Sequence, residues 1–274
     1  MLRRVASQKT GLIGFILVAI VLLAAVAAPI VAPYDPYEMN MDEALQPPSW
    51  SHPLGTDVLG RDMMSRLVYG ARISLKVSVL SRLISLLIGT LLGLLAGYIG
   101  GRIDTLVMRL ADVTLAYPGL LLLIAVIAAV GPSLSSLTIA LGIVGWAAVA
   151  RIVRAQVLSI KEREYILAIR ALGSRPESIV LRHLLPNCLS QMIIIFSMGL
   201  GMGIMAESSM SFLGLGAQPP APSWGSMISS GLDYLRVAPW LSLAPGIGIT
   251  IAVLGFNLLG DAFRDVLDPK LRNL

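Results

Sequence analysis

Cysteine is almost missing from this chain: Cys188 stands alone, and one thiol excludes an internal disulfide framework. Histidine is nearly as scarce, with only His52 and His183. With no CxxC or HExxH pattern beside them, a shared metal site lacks ligands. No GxSxG elbow is present, and no GxxxxGK[ST] phosphate loop. The chain therefore does not hydrolyse ATP and holds no cofactor of its own. Charge is thin as well, at 14% of residues, against roughly a quarter in ordinary globular proteins. What replaces it is apolar: 56% of the 274 residues are hydrophobic. That is the composition of an all-α, polytopic membrane protein.

The net charge of +5 raises nucleic acid as a partner, but the basic residues flank apolar runs. Topology explains them better, and no nucleic-acid partner is expected. Arg3, Arg4 and Lys9 precede an apolar stretch over residues 12–32. A secretory signal is the rival reading; at about 20 residues the run is long enough to span the bilayer as a retained first helix. Further spans are expected over residues 77–98, 119–130, 137–153, 189–205 and 241–259, six in all. Arg82 sits near the outer end of the second, able to snorkel. Gly89, Gly93 and Gly97 recur every four residues there, a small-xxx-small seam for close helix approach. Residues 101–117, with Arg102, Asp104, Arg109 and Asp112, read as an interfacial helix ending before Pro118.

Placing Arg61, Arg66, Arg72, Lys76 and Arg236 outside leaves most other bases inside, including Arg264, Lys270 and Arg272. By the positive-inside rule both termini are then cytoplasmic. The organisation expected is an N-terminal helix with external loop over 1–76, and a permease core over 77–274.

Between the fourth and fifth spans lies the most charged segment, inside a loop over 157–187. Arg151, Arg154, Lys161, Arg163, Arg170, Arg175 and Arg182 crowd it, which faces it to the cytoplasm. Apolar residues at i+3 and i+4 spacings, broken by Gly173 and Ser174-Arg175-Pro176, predict helix, turn, helix. Such a pair either lies on membrane lipid or enters another protein's groove. The segment resembles the cytoplasmic coupling loop of bacterial ABC-importer permeases, whose pattern runs Glu-Ala-Ala, Gly, then aliphatic-Leu-Pro. The matching positions are Leu167, Ala168, Ile169, Gly173 and Leu184-Leu185-Pro186. The family's Glu stands here as Leu167, and its second Ala as Ile169. By that resemblance ATPase coupling falls to Leu167, Ala168, Ile169, Arg170, Ala171, Leu172, Gly173, Ser174, Leu185 and Pro186.

A second, longer match begins at His52. The run HPLGTDVLGRDMMSRLVYGARISLKVSVL resembles the C-type permease subunits of dipeptide and oligopeptide importers, a group that includes nickel and glutathione systems. From the residues alone, Asp57, Arg61, Asp62 and Arg66 suggest either a metal or peptide site or salt bridges that fold the loop. The resemblance implies a type I ABC importer permease fold in a bacterial inner membrane. It also implies a B-type permease as heterodimer partner, one or two cytoplasmic ATPases binding ATP and Mg²⁺, and an external substrate-binding protein. A stand-alone secondary transporter is the other class of reading. Glu207, at a membrane boundary, is a candidate for the substrate path, or else caps a short helix or pairs with an Arg. The cluster of Pro219, Pro220, Pro222 and Trp224 suggests a rigid outer loop with an interfacial aromatic.

Overall fold

The structure, a computed structural model, describes residues 9–267; Arg3, Arg4, Pro269, Lys270 and Arg272 lie outside them. Among the described residues the regular structure is helical, with irregular loops over 32–62 and 213–223. In chain order the helices are α1 (Lys9–Val26), α2 (Ala28–Val31), α3 (Met63–Ile99), α4 (Gly101–Ala116), α5 (Gly119–Val130) and α6 (Leu134–Lys161). After these come α7 (Glu164–Ala171), α8 (Pro176–Ile179), α9 (Leu185–Phe212), α10 (Trp224–Gly231) and α11 (Trp240–Leu267). Among the described residues five helices are long and apolar enough to cross a membrane, and a sixth crossing exists if the bent pair α4 and α5 counts as one.

The bend between α4 and α5 is 93°. Pro118 causes it: a proline bars its predecessor from helical backbone, and Tyr117 is extended at φ −90°, ψ 141°. With 12 residues, α5 is only ~18 Å long, short of the ~30 Å hydrocarbon layer. The bent pair is thus an L. Its α4 limb is pinned to α6 by Arg154 with Asp104 and by Arg151 with Asp112.

The second span begins well before residue 77. α3 starts at Met63, so the expected boundary after residue 76 falls inside a continuous helix of 37 residues. Arg66, Arg72 and Lys76 give this stretch the look of a loop, yet Asp62 caps it by accepting from the Ser65 N–H at 2.7 Å. Arg66 is neutralised by folding back, donating to the Pro36 carbonyl at 3.0 Å and lying 3.5 Å from Asp57.

The glycine seam forms as its spacing predicts. A Cβ added at Gly89 would lie 2.5 Å from the Val149 side chain, at Gly93 2.7 Å from the Ala150 carbonyl, and at Gly97 2.8 Å from Val157. Backbone against backbone, α3 and α6 form the central pair of the bundle. Gly93→Leu is accordingly expected to destabilise the folded protein by about 3 kcal/mol, the upper end for overpacking, seen as a lower thermal transition in detergent. Gly246→Ala, where nothing lies within 4 Å, is the neutral control. On the other flank, α1 packs along α11: an added Cβ at Gly14 would meet the Leu259 nitrogen at 2.7 Å, and one at Gly255 would meet Leu17 at 2.9 Å.

Candidate functional site

The tip expected to face the cytoplasm is built from α6 outward. α7 buries Ile166 completely and Ile169 in part, against Val153, Val157 and Ile160 of α6 and against Ile179 and Leu184. Lys161 anchors the base of the tip by donating to the Gly97 carbonyl at 3.0 Å, at the C-terminal end of α3, where cations are favoured. The remaining face points away from the protein. Leu167 is 49% exposed and Leu172 85% exposed, with Ala168, Arg170, Ala171, Gly173 and Ser174 beside them.

What holds this face in shape is a cap. The Gly173 N–H bonds the Arg170 carbonyl at 3.0 Å, and the Ser174 N–H bonds the Ile169 carbonyl at 3.3 Å. This is the paired Schellman arrangement, which needs a left-handed residue after the helix. Gly173 supplies it at φ +78°, where a side chain is strained.

Beyond the turn, the expected second helix is not a separate element. α8 passes through one π turn, Val180–Leu184, directly into α9, with the Leu185 N–H bonding the Val180 carbonyl. The physical reason is Pro186, whose missing N–H and bulky ring oppose a regular turn; the wider turn relieves the conflict. Leu185 is half-buried and Pro186 exposed at this joint, while Leu184 is buried. Pushing on the tip therefore pushes on a continuous helix that crosses the membrane.

Glu207 is a buried acceptor for hydroxyl groups. It has no arginine partner and no exposed surface. Its carboxylate accepts from Ser74 at 2.5 Å, Ser211 at 2.7 Å and Ser223 at 2.9 Å. Those serines belong to α3, α9 and the residue before α10, so Glu207 ties three elements together. Trp224 likewise is no interfacial aromatic: it is buried and donates to the Leu67 carbonyl of α3 at 2.9 Å. In the loop over residues 32–62 the acidic residues are used for folding. Asp57 accepts from Arg61 at 2.7 Å, and Asp62 meets His52 at 2.9 Å, while His52 stacks on Tyr34.

These helices match a known architecture. The inward-facing MetNI methionine ABC transporter superposes with a TM-score of 0.61 at 22% identity, over 75% of this chain and 98% of that one. By sequence, residues 89–273 match the binding-protein-dependent transport system inner membrane component. Residues 1–48 match the N-terminal TM domain of oligopeptide transport permease C. The chain belongs to this inner-membrane transport family. Its relatives include the dipeptide transport system permease protein DppC of Alkalihalophilus pseudofirmus, 42% identical over 99% of this chain and 89% of the relative. The di/tripeptide transport system permease protein DppC of Pseudomonas aeruginosa is 43% identical over 98% and 90%. The dipeptide transport system permease protein DppC of Escherichia coli K12 is 45% identical over 97% and 90%.

Within this permease, two of the cavities beside α9 share one face of that helix, and sequence reasoning found neither. One, of about 580 Å³, opens beside Gln156, Asn187, Gln191, Ile195 and Met198. The other, of about 200 Å³, is bounded by Ser81, Arg82, Gly145, Gly199, Met202 and Ala206. Along α9 the lining residues 187, 191, 195, 198, 202 and 206 follow steps of three and four, a single helical face. The polar spacing of Asn187 and Gln191 was the available signal. Arg82 does not snorkel to the outer end: it lies near the midpoint of α3, turned onto α9 in the notch left by Gly199. A long outward reach is unnecessary because the Ile195 carbonyl accepts from its Nε and Nη2 at 3.2 and 2.8 Å.

Proposed function

We infer that this chain is one of two non-identical membrane subunits of an ABC importer for short peptides, with a B-type permease as the other. The observation that carries the reading is the tip of α7: an exposed apolar knob at Leu172, fixed by the Gly173 cap and rooted on α6. An exposed apolar patch on a rigid support is a docking feature. A helix of this shape fits a groove on a cytoplasmic ATPase, as the coupling-loop resemblance implies. The chain itself performs no catalysis; ATP and Mg²⁺ belong to that partner.

The mechanism follows from the joint at Pro186. When the ATPase binds and releases nucleotide, its groove changes position, and the α7 knob follows. Because α8 continues into α9, displacement at the tip becomes tilt of the helix whose face lines both cavities. The nucleotide must bind the two arrangements with different affinity for this to bias the pore. Both termini lie in the cytoplasm on this reading, which the basic residues along the tip support, with α4 and α5 together counted as one of six crossings. An external binding protein delivers the substrate to the loops around residues 33–62. The peptide class rests on the relatives named as dipeptide and di/tripeptide permeases; nickel and glutathione are the alternatives from the same subfamily.

The test is purification of this chain from its native membrane in mild detergent, with mass spectrometry of what stays bound. Recovery of a second permease and ATPase subunits is expected, with crosslinks from residues 164–172 to the ATPase. Recovery of the chain alone after crosslinking overturns the reading. Peptide, nickel or glutathione on the co-purified binding protein identifies the cargo.

A further inference from the structure

Among the described residues, Arg82 is a cation in the membrane interior without a counter-charge. The ion pairs of the structure join Glu43 and Asp62 to His52, Asp57 to Arg61 and Arg66, Asp112 to Arg151, and Asp104 to Arg154; none reaches Arg82. The acidic group of α9, Glu207, is occupied by its serines. An arginine stays protonated in any protein setting, and a charge held inside a membrane is costly unless paired. Nε and Nη2 are satisfied by one carbonyl, which leaves Nη1 without a hydrogen-bond partner among the described residues.

Its setting is a built one. Gly199 leaves the notch: a Cβ added there would collide with the guanidinium. Ser81, Ser85, Gly145 and Gly203 keep the surrounding walls small. The Arg82 side chain borders the 200 Å³ cavity directly, while its acceptor, Ile195, borders the 580 Å³ cavity. Arg82 thus stands at the junction of the two spaces along the lining face of α9. The other charged groups of that lining, Arg163 and Arg264, are also basic.

We propose that Arg82 is an anion-recognition site midway along the translocation path, taking the C-terminal carboxylate of each peptide as it passes. A guanidinium offers a carboxylate paired N–H donors in a fixed fork, and desolvation inside the path strengthens the contact. The retained Ile195 bond keeps the fork aimed while one edge remains open. Such a site holds a free carboxylate long enough to orient it and releases it when α9 tilts and carries Ile195 away. The inference rests on the importer reading above. A carboxylate has a second source, an acidic residue of the partner permease, and the test separates the two.

The assembled transporter, reconstituted with its binding protein, is assayed with a dipeptide and with the same dipeptide as its C-terminal amide. Uptake by each variant is divided by unaltered-transporter uptake of the same substrate, which cancels the binding protein's own preference. Arg82→Gln is expected to lower uptake of the free peptide about tenfold or more and to leave the amide ratio near one, with Arg82→Lys partly restoring the free peptide. Equal loss for both substrates overturns the proposal; loss of the co-purifying partner permease would then assign the carboxylate to that subunit. No loss for either also overturns it. Where the unaltered transporter does not carry the amide, an Arg82→Cys variant decides. Cys188, the sole native cysteine of this chain, is buried, so within this chain the new thiol reacts selectively, and the same reagents on the unaltered transporter control for the other subunits. An ethylammonium adduct is expected to restore free-peptide uptake and an ethylsulfonate adduct not to; equal effects of the two overturn the proposal. An unaltered transporter that takes up no peptide at all contradicts the importer reading instead.

Discussion

Leu172→Asp is expected to abolish transport, lowering uptake by roughly thirtyfold or more, while the amount of chain in the membrane stays unchanged. The two halves of that expectation have separate causes. Leu172 is 85% exposed, so the folded chain loses almost no packing, and surface changes of this kind alter stability by about 0.5 kcal/mol or less. Against a partner the balance reverses. Removing a central apolar anchor costs about 2 kcal/mol or more, and a carboxylate pressed into an apolar groove adds desolvation; each ~1.4 kcal/mol is tenfold in affinity. Co-purification of ATPase should fall with uptake. Ile166→Asp makes the contrast: Ile166 is 2% exposed and packed on α6, so that variant should lose the protein itself. Normal uptake by Leu172→Asp, at normal protein level, would remove the tip of α7 from the coupling surface.

Glu207→Ala is expected to be among the most destabilising single changes in the chain, by about 3 kcal/mol or more. It strands the hydroxyls of Ser74, Ser211 and Ser223, and each buried donor left unmade costs about 1 kcal/mol or more. A cavity opens at the same point, at the join of α3, α9 and α10, and adds to the loss. Chemical or thermal denaturation of the purified complex measures it. Glu207→Gln should be far milder, because its carbonyl still accepts from Ser211 and Ser223 while Ser74 turns to accept from the amide. Uptake of cationic peptides by that variant should stay within about twofold of normal. A Gln variant of normal stability that fails to carry cationic peptides would instead put the carboxylate on the substrate path.

Much of the site was readable because it depends on neighbours in sequence. Gly173 marks a helix end whatever the rest of the chain does, since its φ of +78° suits glycine wherever a helix stops so. Gly89, Gly93 and Gly97 announce a seam by spacing alone. What misled was local charge. Arg66, Arg72 and Lys76 made residues 63–76 look like loop, although Asp62 carried the signal for a helix start. At the other end of the tip, the break at Ser174-Arg175-Pro176 was visible, but the fusion of α8 with α9 through a π turn was not. Pro186 tells only that a regular turn is opposed, not which way the chain resolves it.

The sequence by itself determined the apolar helices, the basic loop between two of them and the glycine that caps its tip. Those follow from hydropathy, charge distribution and single-residue backbone preference, which act within a few positions. Tertiary structure alone decided that Glu207 is held by Ser74, 133 positions away, and that Arg82 turns onto Ile195, 113 positions away. Each polar group inside the bundle must find a partner or remain charged and costly. The partner available depends on which helix face arrives beside it, and this is fixed by the packing of α3, α6 and α9 rather than by any stretch of sequence.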